Sequence, residues 1–191
     1  MRFDADGLLD TAQFIASPNC DERPTGADIS LLVIHNISLP PNEFGGNGVI
    51  ELFTNQIDPQ AHPYYQTVQG LKTSAHFFIR RDGATIQFVS CNKRAWHAGI
   101  SQWQGKDCCN DFSIGIELEG SNTTPFTDQQ YAALITLTKL LHDHFPIKDI
   151  VGHSDIAPAR KTDPGPYFDW VRYGSGLRPD LIKRSANSTP T

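Results

Sequence analysis

The heptapeptide Ile29–His35, I-S-L-L-V-I-H, restricts the fold more than any other stretch of the chain. A run so continuous in apolar residues suits a strand buried on both faces. His35 closes it. A histidine in that place is either a core residue satisfied by hydrogen bonds or a functional group at a strand end. The strand alone leaves both readings open.

A second strand is legible by a different signal. Ser113–Glu119, S-I-G-I-E-L-E, alternates with period two. Ile114, Ile116 and Leu118 point to one side, and Ser113, Gly115, Glu117 and Glu119 to the other. A carboxylate on a central strand needs a partner or a function, whereas at a sheet edge it is merely exposed. Gly115 clears space beside Glu117. Ser74–Arg81 and Ala84–Cys91 read as strands joined at Asp82-Gly83, a hairpin signal. Asp149–Gly152 reads as one more short strand.

The clearest helix is Thr127–Phe145. Thr127 and Gln130 form a capping box. Tyr131, Leu134, Leu137 and Leu141 make its apolar stripe, and Pro146 ends it. His142 and His144 fall at its solvated C-terminal end. Leu8–Ile15 is expected to make one or two helical turns, Val49–Asn55 a short helix and Phe168–Tyr173 a last one. Ser38–Gly48 and Asp58–Tyr65 are loops by their prolines and glycines. Tyr64 and Tyr65 in the second loop either cap the core or wall a ligand site.

Val151–Pro166 concentrates chemistry: V-G-H-S-D-I-A-P-A-R-K-T-D-P-G-P. Its prolines disfavour helix and strand ladders alike, so it is expected to be a rigid loop. Loops held by a scaffold are where catalytic groups concentrate. His153 and Asp163 are compatible with two ligands of a zinc site, with Lys161 as a neighbouring cation. They are equally compatible with a solvated surface turn. In Arg94–Gly99, R-A-W-H-A-G, small residues flank Trp96 and His97. That leaves room for a sugar or peptide against the indole, or marks a buried Trp that plugs the sheet.

Composition removes some classes. With 191 residues the chain is expected to form one domain, residues 1–184, and a polar tail, residues 185–191. A net charge of −5 and a pI near 5.7 argue against a dedicated nucleic-acid binder. Met1–Asp10 has no apolar core of an export signal, and no stretch approaches a membrane span. Cytoplasmic location, no membrane association and a monomer are the resulting expectations. Cys20, Cys91, Cys108 and Cys109 lack C-x-x-C spacing and read as reduced thiols.

Five segments in series carry a resemblance. They are Leu31–Pro41 (L-L-V-I-H-N-I-S-L-P-P), Ser74–Gly83 (S-A-H-F-F-I-R-R-D-G), Arg94–Gly99, Cys109–Gly120 (C-N-D-F-S-I-G-I-E-L-E-G) and Ala157–Pro166. Together they resemble the AmpD-type 1,6-anhydro-N-acetylmuramyl-L-alanine amidases, zinc enzymes related to peptidoglycan-recognition proteins. The likeness runs in order from about Asn19 to Trp170. It implies an α/β fold, a mixed central β-sheet flanked by helices, with zinc in a surface groove. It implies one catalytic Zn2+ held by His35, His153 and Asp163, with Glu117 activating water and Lys161 stabilising the transition state. Asn36, Tyr64, Lys72, Trp96 and His97 are the implied contacts to a small anhydro-muropeptide substrate. Cys108 and Lys72 stand where the family often has arginine, and Lys keeps the charge without the bidentate fork. Lys106 is a nearby substitute for the missing basic residue.

Three activities compete on this evidence of residues. One is hydrolysis of soluble anhydro-muropeptides, and a second is hydrolysis of polymeric peptidoglycan. The third is muropeptide binding without catalysis, disfavoured because all three ligand positions, Glu117 and Lys161 are present.

Overall fold

A computed structural model of the chain describes residues 1–178 and residue 182. The expected tail at 185–191 and the domain limit at 184 lie outside the described residues. The strands are β1 (Gln13–Phe14), β2 (Cys20–Glu22), β3 (Leu31–Ile37), β4 (Phe77–Ile79), β5 (Thr85–Gln87), β6 (Lys93–Ala95), β7 (Gln102–Trp103), β8 (Lys106–Asp107), β9 (Ser113–Glu119) and β10 (Asp149–Gly152). The helices are α1 (Gly48–Phe53), α2 (Tyr65–Val68), α3 (Asp128–His144), α4 (His153–Ile156) and α5 (Trp170–Ser175). Among the described residues no helix is long and apolar enough to cross a membrane.

The architecture is α/β, built on a mixed six-stranded sheet in the order β1-β5-β4-β9-β3-β10. β4, β9, β3 and β10 run parallel, while β5 joins β4 antiparallel. β3 and β9 lie inside the sheet, so each is buried along its strand, apart from the last two residues of β3. Glu117 therefore stands on a central strand and not at an exposed edge. On one face, Leu32, Ile34, Ile114 and Ile116 pack with α3 residues Leu134, Leu137 and Leu141. Each of those leucines is fully buried, worth about 1.5–3 kcal/mol apiece. On the other face, Phe78, Ile86 and Phe88 pack with Leu52 and Phe53 of α1.

α3 matches its expected limits. Thr127 Oγ1 accepts from the Gln130 N–H at 3.1 Å, and Gln130 Oε1 accepts from the Thr127 N–H at 3.1 Å. Gln130 is wholly buried, and its amide donates to the Glu119 carbonyl at 2.9 Å, which ties the helix start to β9. The hairpin also forms at its expected place. Gly83 turns the chain at φ +85°, and its Cβ position would lie 2.9 Å from the Gln129 carbonyl oxygen, so glycine is needed there.

Four expectations need correction. The first strand runs Leu31–Ile37 and not Ile29–His35, so His35 lies inside it and does not close it. Leu8–Ile15 is not helical: Gln13 and Phe14 form β1, parallel to β5, because the sheet edge supplies backbone partners that a lone helical turn lacks. The two hairpin strands are shorter than expected, Phe77–Ile79 and Thr85–Gln87. Val151–Pro166 is not loop throughout: His153–Ile156 makes one helical turn before the first proline, with Asp155 accepting from the Gly152 N–H at 2.8 Å.

Thr127 also donates to the Arg81 carbonyl at 2.6 Å, so it joins α3 to the hairpin turn. Thr127→Ala is expected to lower the unfolding free energy by about 1–2 kcal/mol in urea titration. An unchanged midpoint would show that the box contributes nothing.

Candidate active site

Parallel pairing places His35 of β3 directly opposite Glu117 of β9. Alternation sends Ile34 and Ile116 into the α3 core, so His35 and Glu117 emerge on the opposite face. β10 flanks β3 on its other side and delivers His153, the first residue of α4. Asp163 comes back over this end of the sheet. The Ser154 N–H donates to the Asp163 carbonyl at 2.9 Å, and the Asn36 amide donates to the Pro164 carbonyl at 2.9 Å.

These elements bring three donor atoms into one triangle. His35 Nδ1 is 2.9 Å from His153 Nδ1 and 3.0 Å from Asp163 Oδ2, and His153 Nδ1 is 3.1 Å from Asp163 Oδ2. Among the described residues this is the His/Cys/Asp/Glu group that could hold a metal ion. The other histidines, His62, His76, His97, His142 and His144, are not part of it. Two imidazole nitrogens and a carboxylate oxygen so close repel unless a proton or cation lies between them. Three donors about 2.0 Å from a tetrahedral ion stand about 3.3 Å apart, close to the separations found. His153 Nε2 lies 3.1 Å from the Ala98 carbonyl, which can only accept, so the proton is on Nε2 and Nδ1 keeps its lone pair.

Electrostatics prepare the same atoms. Burial, the largest cause, lowers His35 to about 4 although the Asp163 carboxylate beside it pulls the other way. Burial works against ionised Asp163, but the adjacent His153 and His35 side chains outweigh it and hold the carboxyl below the usual range. His35 is thus neutral and Asp163 ionised near neutral pH, as metal ligands must be. Glu117 moves the other way. Burial pushes its carboxyl well up, the Asp163 charge adds to this, and Lys161 pulls it back. Its Oε1 is 4.0 Å from His35 Nδ1, and its buried Oε2 has no hydrogen-bond partner among the described residues.

An open groove passes over this cluster. Its deeper part, about 270 Å³, is lined by Asn36, Tyr64, His97, Glu117, Lys161 and Asp163 among others. A shallower polar part continues past Asn42, Asn122 and Thr123. The two tyrosines divide: Tyr65 is buried under α1, while Tyr64 is exposed on the groove wall. Lys72 is exposed and lines a neighbouring hollow with Leu52, Val68 and Leu71. Lys106 stands over the Phe112 ring and borders a different hollow, with Asp28 and Asp111. Trp96 is half-buried, and its indole N–H is enclosed without a partner among the described residues.

His97 borders the groove, and its ring nitrogens are both engaged inside the protein. Its Nδ1 is 3.0 Å from His35 Nε2 and its Nε2 is 3.2 Å from Ser113 Oγ, so no ring nitrogen is left for the groove. Gly115 clears space, as expected, but the His97 ring fills it. Four supports were not singled out from sequence: Arg23, Asn110, Ser113 and Arg160. Ser113 had a signal, since it shares a strand face with Glu117. Arg160, which donates to the Ala98 carbonyl at 2.8 Å, had none beyond lying in the proline-rich segment. Arg23 donates to the carbonyls of Asn110, Asp111 and Ser113, far away in sequence, so only the fold reveals it.

The sequence profile described as N-acetylmuramoyl-L-alanine amidase matches residues 25–166. The chain belongs to this family. It is 56% identical over 169 residues to the 1,6-anhydro-N-acetylmuramyl-L-alanine amidase AmpD of Escherichia coli (strain K12), covering 87% of this chain and 92% of that relative. A crystal structure of a selenomethionine derivative of AmpD superimposes with a TM-score of 0.90 at 52% identity, covering 93% of this chain and 99% of that one. The N-acetylmuramyl-L-alanine amidase AmiD of E. coli, solved with its substrate anhydro-N-acetylmuramic acid-L-Ala-D-γ-Glu-L-Lys, gives 0.58 at 31% identity, covering 81% of this chain and 60% of that one.

The raised Glu117 value has a stability consequence. An acid harder to ionise when folded than its usual value of about 4.3 makes the fold less stable as pH rises above that value. Glu117→Gln removes this penalty. In metal-free protein the variant's Tm, relative to wild type, is expected to climb between pH 4 and pH 7. A difference independent of pH would contradict the buried, resisting carboxyl.

Proposed function

We propose that this chain is a zinc-dependent amidase of the cytosol, acting in peptidoglycan recycling. It would hydrolyse the amide between the lactyl group of 1,6-anhydro-N-acetylmuramic acid and L-alanine of the stem peptide. The observation that carries the proposal is the triangle of His35, His153 and Asp163 beside a buried carboxylate with an unpartnered oxygen. The names of the relatives support the choice of substrate.

His35 and His153 would hold zinc through Nδ1, and Asp163 through Oδ2. Two imidazoles and a carboxylate are a donor set that zinc takes in hydrolytic sites, with a further position for water or substrate. Zinc bound there supplies Lewis acidity and lowers the pKa of water to about 7.

The remaining steps belong to the chain's own groups. Glu117 takes the proton of the attacking water at its unpartnered Oε2 and later gives it to the departing amine of L-alanine. Its raised affinity for a proton suits that second transfer. Lys161 borders the same groove and presents a cation to the oxyanion that develops on the lactyl carbonyl. Tyr64 offers an aromatic wall for the sugar, and Asn36 fixes the groove floor through Asn122 and Pro164. Lys72 is assigned to the peptide side, reached along the stretch that includes Leu71 and Thr73; the assignment of Trp96 to the substrate rests on the family resemblance alone.

Purified enzyme incubated with anhydro-muropeptide is expected to release free stem peptide, detected by mass spectrometry. Chelation should abolish release and added zinc restore it. Undiminished turnover by metal-free protein would overturn the reading. Glu117→Gln should keep zinc while kcat falls by on the order of a hundredfold or more. A near-native kcat would remove Glu117 from the mechanism.

A further inference from the structure

We propose that His97 is a positioning residue: it holds His35 in the Nε2–H tautomer, so that Nδ1 offers a lone pair to the metal. The inference rests on His35, His153 and Asp163 being the metal ligands.

Hydrogen-bond directions run one way along a buried chain. Ser113 Oγ bonds to the Cys109 carbonyl, which can only accept, so the hydroxyl proton points there. Ser113 Oγ is then an acceptor toward His97 Nε2, at 3.2 Å. A neutral imidazole has one donor and one acceptor, so His97 carries its proton on Nε2 and has a bare Nδ1. That Nδ1 lies 3.0 Å from His35 Nε2 and takes its proton. His35 is left with an acceptor at Nδ1, the atom that enters the triangle with His153 and Asp163.

The ring is held in place as well as in orientation. A Cβ at residue 115 would lie 2.4 Å from His97 Cγ and 2.6 Å from its Nδ1, so only glycine admits the ring against β9. Asn110 Oδ1 accepts from the backbone N–H of His97 at 3.1 Å and of Ala98 at 2.8 Å. The next carbonyl, that of Ala98, takes the Nε2 proton of His153. One dipeptide, His97-Ala98, thus sets the tautomer of both imidazole ligands, and Asn110 pins it. A residue that only filled space would need no such direction of donors and acceptors. Outer partners of this kind typically change metal affinity by 10–100-fold.

The test compares zinc dissociation constants, by chelator competition, for wild type, His97→Leu, His97→Gln and Ser113→Ala. Leu offers neither donor nor acceptor. Gln offers an amide oxygen to His35 and an amide N–H to Ser113. Ser113→Ala touches no ligand, but it frees His97 to carry its proton on Nδ1 and so to force the wrong tautomer on His35. Zinc affinity is expected to fall about 10–100-fold in His97→Leu, to fall also in Ser113→Ala, and to recover largely in His97→Gln. In zinc-loaded wild type, 15N NMR should show a proton on His35 Nε2 with a coupling across the hydrogen bond to His97 Nδ1. A proton on His97 Nδ1 instead would overturn the inference, as would unchanged affinity in both His97→Leu and Ser113→Ala. If His97→Leu fails to fold, the wild-type spectrum and Ser113→Ala decide. Wild type that binds no zinc would remove the ligand assignment and this inference with it. Tight zinc in wild type, His97→Leu and Ser113→Ala alike would leave the ligands standing and remove His97 alone.

Discussion

The in-register parallel pairing of β3 with β9 is the constraint on which the rest depends. It runs from Leu31 opposite Ser113 to Ile37 opposite Glu119. A slip of one residue would turn every side chain of one strand to the other face. Ile34 would then leave the α3 core, and His35 would enter it. The apolar demand of the core therefore also sets where His35 and Glu117 stand. No separate device is needed to align them, because the register that buries the aliphatic residues is the register that makes the site.

Around that pair the protein concentrates groups that would be unfavourable elsewhere. Histidines 35, 76, 97 and 153 are buried together, and burial lowers the first three. Neutral rings can be used as directional donors and acceptors, which charged rings cannot. His76 accepts from the Gly115 N–H at 3.1 Å and so holds β9 directly beneath the His97 ring. Arg23, lowered to about 10 mainly by burial, gathers the carbonyls of the segment leading into β9. Asp163, Lys161 and Arg160 bring charge to the groove, where a polar substrate and a cation would meet it.

Much of this was legible in the sequence, and particular residues show why. The apolar run of β3, the alternation of β9 and the capping box of α3 are local signals, and all three elements form. His35 is far in the chain from His153 and Asp163, yet the family resemblance already implied that the three belong together. What failed was context. Gln13 and Phe14 became a strand because β5 offered its edge, which no local pattern in Leu8–Ile15 announces. His153–Ile156 became helical because the prolines of that segment come after it. The family resemblance put His97 at the substrate, and the ring does border the groove, but its two nitrogens are engaged inside the protein. Its inward orientation depends on Gly115 and Ser113, which come from another strand and meet it only in the folded state.

X-ray absorption at the zinc edge of the loaded wild-type protein tests the central claim most directly. The account predicts nitrogen and oxygen neighbours only, at about 2.0–2.1 Å, with the outer scattering of two imidazole rings. Sulfur scattering at about 2.3 Å would place the metal on the cysteines and contradict it, as would a shell without imidazole.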